Sequence, residues 1–317
     1  MKTVNWKLVG VFYGIALGGA FVAAVLIWAL RGLGPAGALL GTAATAVLYM
    51  PLPLVAGLIT ERVARRRPLI ADEWQALRKK FFRVYGRNAL VAVVLVVAIV
   101  VLGFLVAWLT GAAGLPGAGH LVGSDAELRE RLMQVSPAVT ADTPLPPAWV
   151  LAVSVLAQGV LAGLTINALF AFGEEYGWRG VLADELRPLG LVKATALTGV
   201  LWGLWHAPII YLGHNYGTEW GWGIPMMVTW TLPLSFLLTW SRERTGSVLA
   251  PSMLHGLYNA LIGVFAMVII GGQLFVSLPM GYLAGAMLTV LALVVWRLPK
   301  RAPQVAPVPA SEPAVTP

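Results

Sequence analysis

No cysteine occurs in this chain of 317 residues, and charged residues make up only 11% of it. The first absence removes thiol nucleophiles, disulfides and Cys-ligated zinc. The second sets the chain apart from soluble globular domains, in which roughly a quarter of residues are charged. Other absences narrow the chemistry further. No His is followed by Glu, so a helical His-Glu-x-x-His zinc motif is missing, and no Gly-x-Ser-x-Gly elbow occurs. Asp72, Asp125, Asp142 and Asp184 all fall outside the middle of apolar runs, where an intramembrane aspartyl pair would have to sit.

What fills the sequence is apolar: 58% hydrophobic residues with a mean hydropathy of +0.79. Eight stretches are long and uncharged enough to cross a bilayer: 8–30, 35–59, 89–111, 147–172, 190–212, 221–240, 247–271 and 274–296. They are continuously apolar rather than alternating, which favours helices over barrel strands. The first run is longer than a signal-peptide core and is kept as a span. The expected fold is therefore all-α, a polytopic membrane bundle of about eight transmembrane helices.

With the N-terminus in the cytoplasm, 19 of the 22 Lys and Arg fall on the cytoplasmic side, leaving Arg31, Arg129 and Arg131 outside. An integral protein of a prokaryotic plasma membrane with both termini cytoplasmic is the topology this favours. The net charge of +8 reflects that asymmetry and attraction to anionic lipid, and calls for no nucleic-acid partner. Trp74, Leu77, Phe81 and Val84 recur at helical spacing within the basic stretch, the pattern of an amphipathic helix lying in the headgroup plane. The organisation expected is N-terminal helices with this amphipathic helix and an outer loop over 1–147, a catalytic core over 148–271, a last transmembrane helix over 272–301, and a Pro/Ala-rich disordered tail over 302–317.

Inside the apolar runs a few polar groups stand nearly alone: Glu174-Glu175-x-x-x-Arg179, His206, and His255-x-x-x-Asn259. Ionisable groups at bilayer depth are costly, so such a cluster points to function. Glu175 and Arg179, Trp202 and His206, and His255 and Asn259 are each four apart and share a helical face. Measured from the Pro188-Leu189-Gly190 turn, Glu174 and His206 lie at nearly the same depth. The fourth run is too long for one straight span, so a break near Gly163 or Gly173, or a protruding hairpin, is expected. Glu175 with Arg179 also reads as a buried ion pair tying helices together. His120 and His214 read as loop-surface residues, and Trp220, Trp222 and Trp240 as interfacial belts.

These three segments, Gly173 to Gly180, Leu201 to Pro208 and His255 to Asn259, resemble the signatures of the CAAX protease and bacteriocin-processing (CPBP, or Abi) family: Glu-Glu-x-x-x-Arg, Phe-x-x-x-His and His-x-x-x-Asn. Trp202 stands where that motif has Phe. The resemblance implies an intramembrane endopeptidase of the CAAX type, acting on a membrane-associated protein or peptide. In it Glu174, helped by His206, is the general base for water, His255 and Asn259 hold the oxyanion, and Glu175 and Arg179 position Glu174. A second scheme carried by the family's metalloprotease label makes Glu174, His206 and His255 the ligands of one zinc; no cofactor is the favoured reading. Bacterial members are associated with bacteriocin immunity or peptide maturation, so a non-catalytic membrane binding or transport protein is the alternative. Nothing in the sequence speaks to oligomeric state.

Overall fold

The computed structural model describes residues 3–136 and 138–300; the tail expected over 302–317 lies outside them. The protein is an all-α helical bundle. Asn5 Oδ1 accepts the Leu8 N–H and caps α1 (Trp6–Arg31). After α2 (Pro35–Ala44) a π-helical turn over Thr45–Tyr49 leads into α3 (Leu52–Val63), α4 (Leu69–Ala112) and α5 (Asp125–Val135) in the long connection that follows it. The remaining elements are α6 (Ala148–Leu164), α7 (Ile166–Glu175), a π-helical turn over Tyr176–Leu182, α8 (Ala183–Leu186), α9 (Leu191–Trp205), α10 (Ala207–Tyr211), α11 (Trp220–Thr245), α12 (Leu249–Leu261), α13 (Gly263–Val268) and α14 (Tyr282–Trp296). The two-residue strands β1 (His120–Leu121) and β2 (Ile269–Ile270) pair antiparallel, His120 opposite Ile270.

Among the described residues five helical stretches are long and apolar enough to cross a bilayer: Trp6–Arg31, Leu39–Val63, Leu69–Ala112, Trp220–Thr245 and Leu249–Val268. The pair Ala148–Leu164 and Ile166–Leu189, bent by 45°, makes a sixth. The remaining two of the eight expected runs hold helices of only 15 residues, α9 and α14. For α14 the cause is local: Pro279 and Gly281 break helical geometry, so the helix begins at Tyr282 rather than near 274. The expected break of the fourth run falls at Thr165, two residues past Gly163. Gly173 stays helical and instead lets the helix pass close to Pro51.

The amphipathic segment is not a separate helix. It is the first part of the 44-residue α4 and is interrupted within by one non-helical residue, Lys80 (φ −147°, ψ 50°). Trp74 and Phe81 are exposed on it. Glu73 is buried and accepts from Ser247 Oγ (2.6 Å) and the Val248 N–H (2.8 Å) at the start of α12.

Small residues bring the core helices into close contact, as membrane packing favours. A Cβ on Gly256 of α12 would lie 2.4 Å from the Gly163 carbonyl oxygen of α6, and one on Gly203 of α9 would lie 2.6 Å from Thr231 Oγ1 of α11. Polar links gather the helix ends at two levels. At one level Arg66 pairs with Glu185, Arg187 with Glu243, and Arg242 with both oxygens of Asp184 at 2.9 Å. At the other, Arg31 donates to the Leu212 carbonyl (2.8 Å), Tyr216 to the Met280 carbonyl (3.4 Å) and Ser277 to the Ala118 carbonyl (2.8 Å).

Candidate active site

The polar residues singled out in the sequence meet between α7, α9 and α12. Glu174, His206, His255 and Asn259 line one cavity of about 270 Å³, together with Tyr49, Trp202, Trp230, Tyr258 and others. The i, i+4 spacing turns Trp202 with His206, and His255 with Asn259, to a common face.

At the end of α7, Glu175 pairs at 2.9 Å with Arg179 of the following π-helical turn, both side chains 0% exposed. The same Glu175 oxygen, Oε1, lies 2.9 Å from His255 Nδ1 and accepts from it. Glu175 therefore holds the His255 ring. Glu174 is held differently, by the Trp202 indole N–H donating to Oε2 at 2.9 Å. The Arg179 guanidinium lies 4.2 Å from the centre of the Trp202 ring, a cation–π contact, so the ion pair reaches Glu174 through an aromatic plane rather than by direct contact.

The Trp at the motif's Phe position is thus more than a substitute of similar size. It supplies a donor that Phe lacks, and its ring lies 5.3 Å from His255 and 5.7 Å from His206, edge to face in both cases. His206 Nδ1 lies 2.8 Å from the Trp202 carbonyl oxygen. A carbonyl only accepts, so Nδ1 carries the proton and the neutral ring has its lone pair on Nε2. With Nδ1–H committed to Glu175, His255 donates from Nε2 only as the imidazolium.

His214 and Tyr258 are among the cavity residues that the sequence did not identify. His214, read there as a surface residue, is half-buried and stacks 6.5 Å from His206; its loop has no periodicity that could have placed it. Burial, and then the nearby Arg31 guanidinium, push its imidazole down to about 4, so it is neutral at ordinary pH. Tyr258 is buried in the wall, and its hydroxyl has no protein partner among the described residues. Its spacing of three from His255 was a usable signal. His120, by contrast, is exposed near Glu127 as expected. Of the tryptophans read as belts, Trp220 and Trp222 are exposed, while Trp240 is buried and donates to the Leu298 carbonyl.

The donor set was tested for a metal. Among the described residues no three His, Cys, Asp or Glu side chains are arranged to hold one ion. Glu174, His206 and His255 share the cavity without forming a three-ligand set.

The geometry defines a helical membrane protein with a Glu/His/Asn cluster facing an internal cavity. Residues 147–261 match the family described as type II CAAX prenyl endopeptidase, Rce1-like. The chain is also similar to CAAX prenyl protease 2 of Methanococcus maripaludis, 33% identical over 104 residues that span 30% of this chain and 38% of the relative. The matched segment contains every residue of the three motifs.

Proposed function

We propose that the protein is an intramembrane endopeptidase that hydrolyses a peptide bond of a membrane-associated protein or peptide. The observation that carries this reading is Glu174. Its carboxylate lines a cavity within a family-matched core and is held through one oxygen, leaving the other for a water molecule.

In the scheme, Glu174 takes a proton from the attacking water as its oxygen bonds to the scissile carbonyl carbon. The Nε2 lone pair of His206 accepts a hydrogen bond from that water and orients it. The resulting oxyanion is met by Asn259 and by the imidazolium Nε2–H of His255. Collapse of the tetrahedral intermediate breaks the C–N bond, and the proton held by Glu174 passes to the leaving amine. Glu175 fixes the ring of His255, and Trp202 fixes Glu174.

Comparing membrane-peptide cleavage products in cells with and without the gene, followed by purified Glu174→Gln protein, tests the reading. The wild type is expected to generate new peptide termini that are missing with the variant. Retained cleavage by purified Glu174→Gln protein overturns it. Metal analysis tests the metal-free form of the scheme: activity is expected to survive depletion, whereas one tightly bound zinc per chain, lost in His206→Ala and required for turnover, overturns that form.

A further inference from the structure

We infer that the cavity is loaded from the extracytoplasmic face, so that its substrate is a peptide or protein chain presented at the outer leaflet after export. This rests on the proposed function only for the nature of the occupant; the side of access follows from the fold and charge alone.

The two ends of the bundle are unlike. Arg62, Arg66, Arg87, Arg187, Arg242 and Arg297 cluster at one end, which is joined by the Arg66–Glu185, Arg242–Asp184 and Arg187–Glu243 pairs, by Arg87 donating to the Thr245 carbonyl, and by the Glu73 contact with Val248. Among the described residues the opposite end holds Arg31, Arg129 and Arg131, each donating to backbone carbonyls. Arg179 was counted with the cytoplasmic cations in the sequence. It is instead buried against Glu175, and removing it from that side leaves the imbalance intact. Lys and Arg near span ends are retained in the cytoplasm, which makes the clustered end the inner one.

The cavity faces the other way. Its lining residues Thr45, His214, Asn215, Ile262 and Met280 are partly exposed, unlike the buried Glu174, Trp202, His206 and His255, and we take them as the rim; all are on segments of the Arg-poor end. Along α9, Lys193 at the inner end and His206 at the cavity are 13 residues apart, about 20 Å at helical rise. Between the cavity and the basic end the bundle is closed: Glu175, Arg179, Leu182, Leu186, Leu238 and Leu254 are all fully buried. A chain arriving from the cytoplasm would have to displace this layer and the ion pairs beneath it, whereas one at the outer surface meets the rim directly.

Single cysteines test this without background, because the chain has none. Full-length Thr45→Cys, at the rim, and Thr218→Cys, on the exposed loop beside His214, are compared with Lys80→Cys and Arg244→Cys in sealed cells, using a small membrane-impermeant, positively charged thiosulfonate. Labelling after solubilisation sets the full scale. Thr45→Cys and Thr218→Cys are expected to react in sealed cells, and Lys80→Cys and Arg244→Cys at least tenfold less until the cells are permeabilised. Reaction of Lys80→Cys or Arg244→Cys in sealed cells overturns the orientation. Protection of Thr45→Cys there, even with Thr218→Cys labelled, overturns access through the rim. Neither readout depends on proteolysis, so a failure of the proposed chemistry leaves this test standing, and the reverse.

Discussion

Two groups of polar residues adjoin in the core, and they are solved in opposite ways. The first, Glu174, His206, His255 and Asn259, borders a cavity and keeps atoms free of protein partners. The second, Glu175 and Arg179, is sealed, with both side chains 0% exposed. Even so Glu175 Oε2 and Arg179 Nε and Nη2 find no protein hydrogen bond among the described residues. A buried ion pair seldom adds net stability, but losing one member leaves a naked charge. The sealed pair is therefore read as a support that aligns the cavity group, with Trp202 and His255 as the connections.

The sharpest way to break this comparison is to remove the group assigned to chemistry. Glu174→Gln is expected to lower turnover by roughly 10²-fold to 10⁴-fold, the range of a lost general base, with the unfolding midpoint in detergent unchanged. A large fall in that midpoint would move Glu174 into the supporting group. Next is Arg179→Ala, expected to destabilise the folded protein by about 3 to 5 kcal/mol in denaturant titration through the stranded Glu175 charge. A stable Arg179→Ala protein that is inactive would show that the sealed pair acts in chemistry directly.

Asn259→Ala isolates the oxyanion assignment. Loss of one donor is expected to reduce kcat by roughly 10²-fold to 10³-fold with KM little changed, and a change confined to KM would make Asn259 a substrate-binding group instead. The smallest effect is expected from Trp202→Phe, which keeps a ring over Arg179 and deletes the N–H on Glu174. A hydrogen bond to a charged group contributes about 1.5 kcal/mol at the low end, so kcat should fall roughly tenfold, with the unfolding midpoint preserved. Unchanged kcat would mean that Glu174 needs no such holder.

The legible part of the site was the part written along single helices. Four-residue spacing paired Glu175 with Arg179, Trp202 with His206 and His255 with Asn259, because one face of one helix is a local property, while Glu174 stood out as an isolated carboxylate in an apolar run and by the family resemblance. The contacts between helices were not legible. That Glu175 bonds to His255 rather than orienting Glu174, and that Trp202 does the latter, depends on how closely α7, α9 and α12 approach, which Gly163, Gly203 and Gly256 set through packing. His214 reaches the cavity from an irregular loop, where no period exists to read. In the fold, the basic run 78–87 suggested a boundary between a surface helix and a span. Lys and Arg are good helix formers, however, so apart from the break at Lys80 the helix continues through them.

Glu73 gives the segment before Lys80 a second role. By accepting the Val248 N–H it occupies the positive end of α12, whose next turns carry His255 and Asn259. The helix marked by its composition as a raft at the lipid headgroups is thereby bolted to the foot of the column that bears half of the cavity's polar groups. Lifting or trimming that raft would leave α12 without its cap, at a cost of about 1 kcal/mol, and would let the column shift along its axis. The seating of this segment at a membrane surface and the alignment of the cavity are in this sense one mechanical variable.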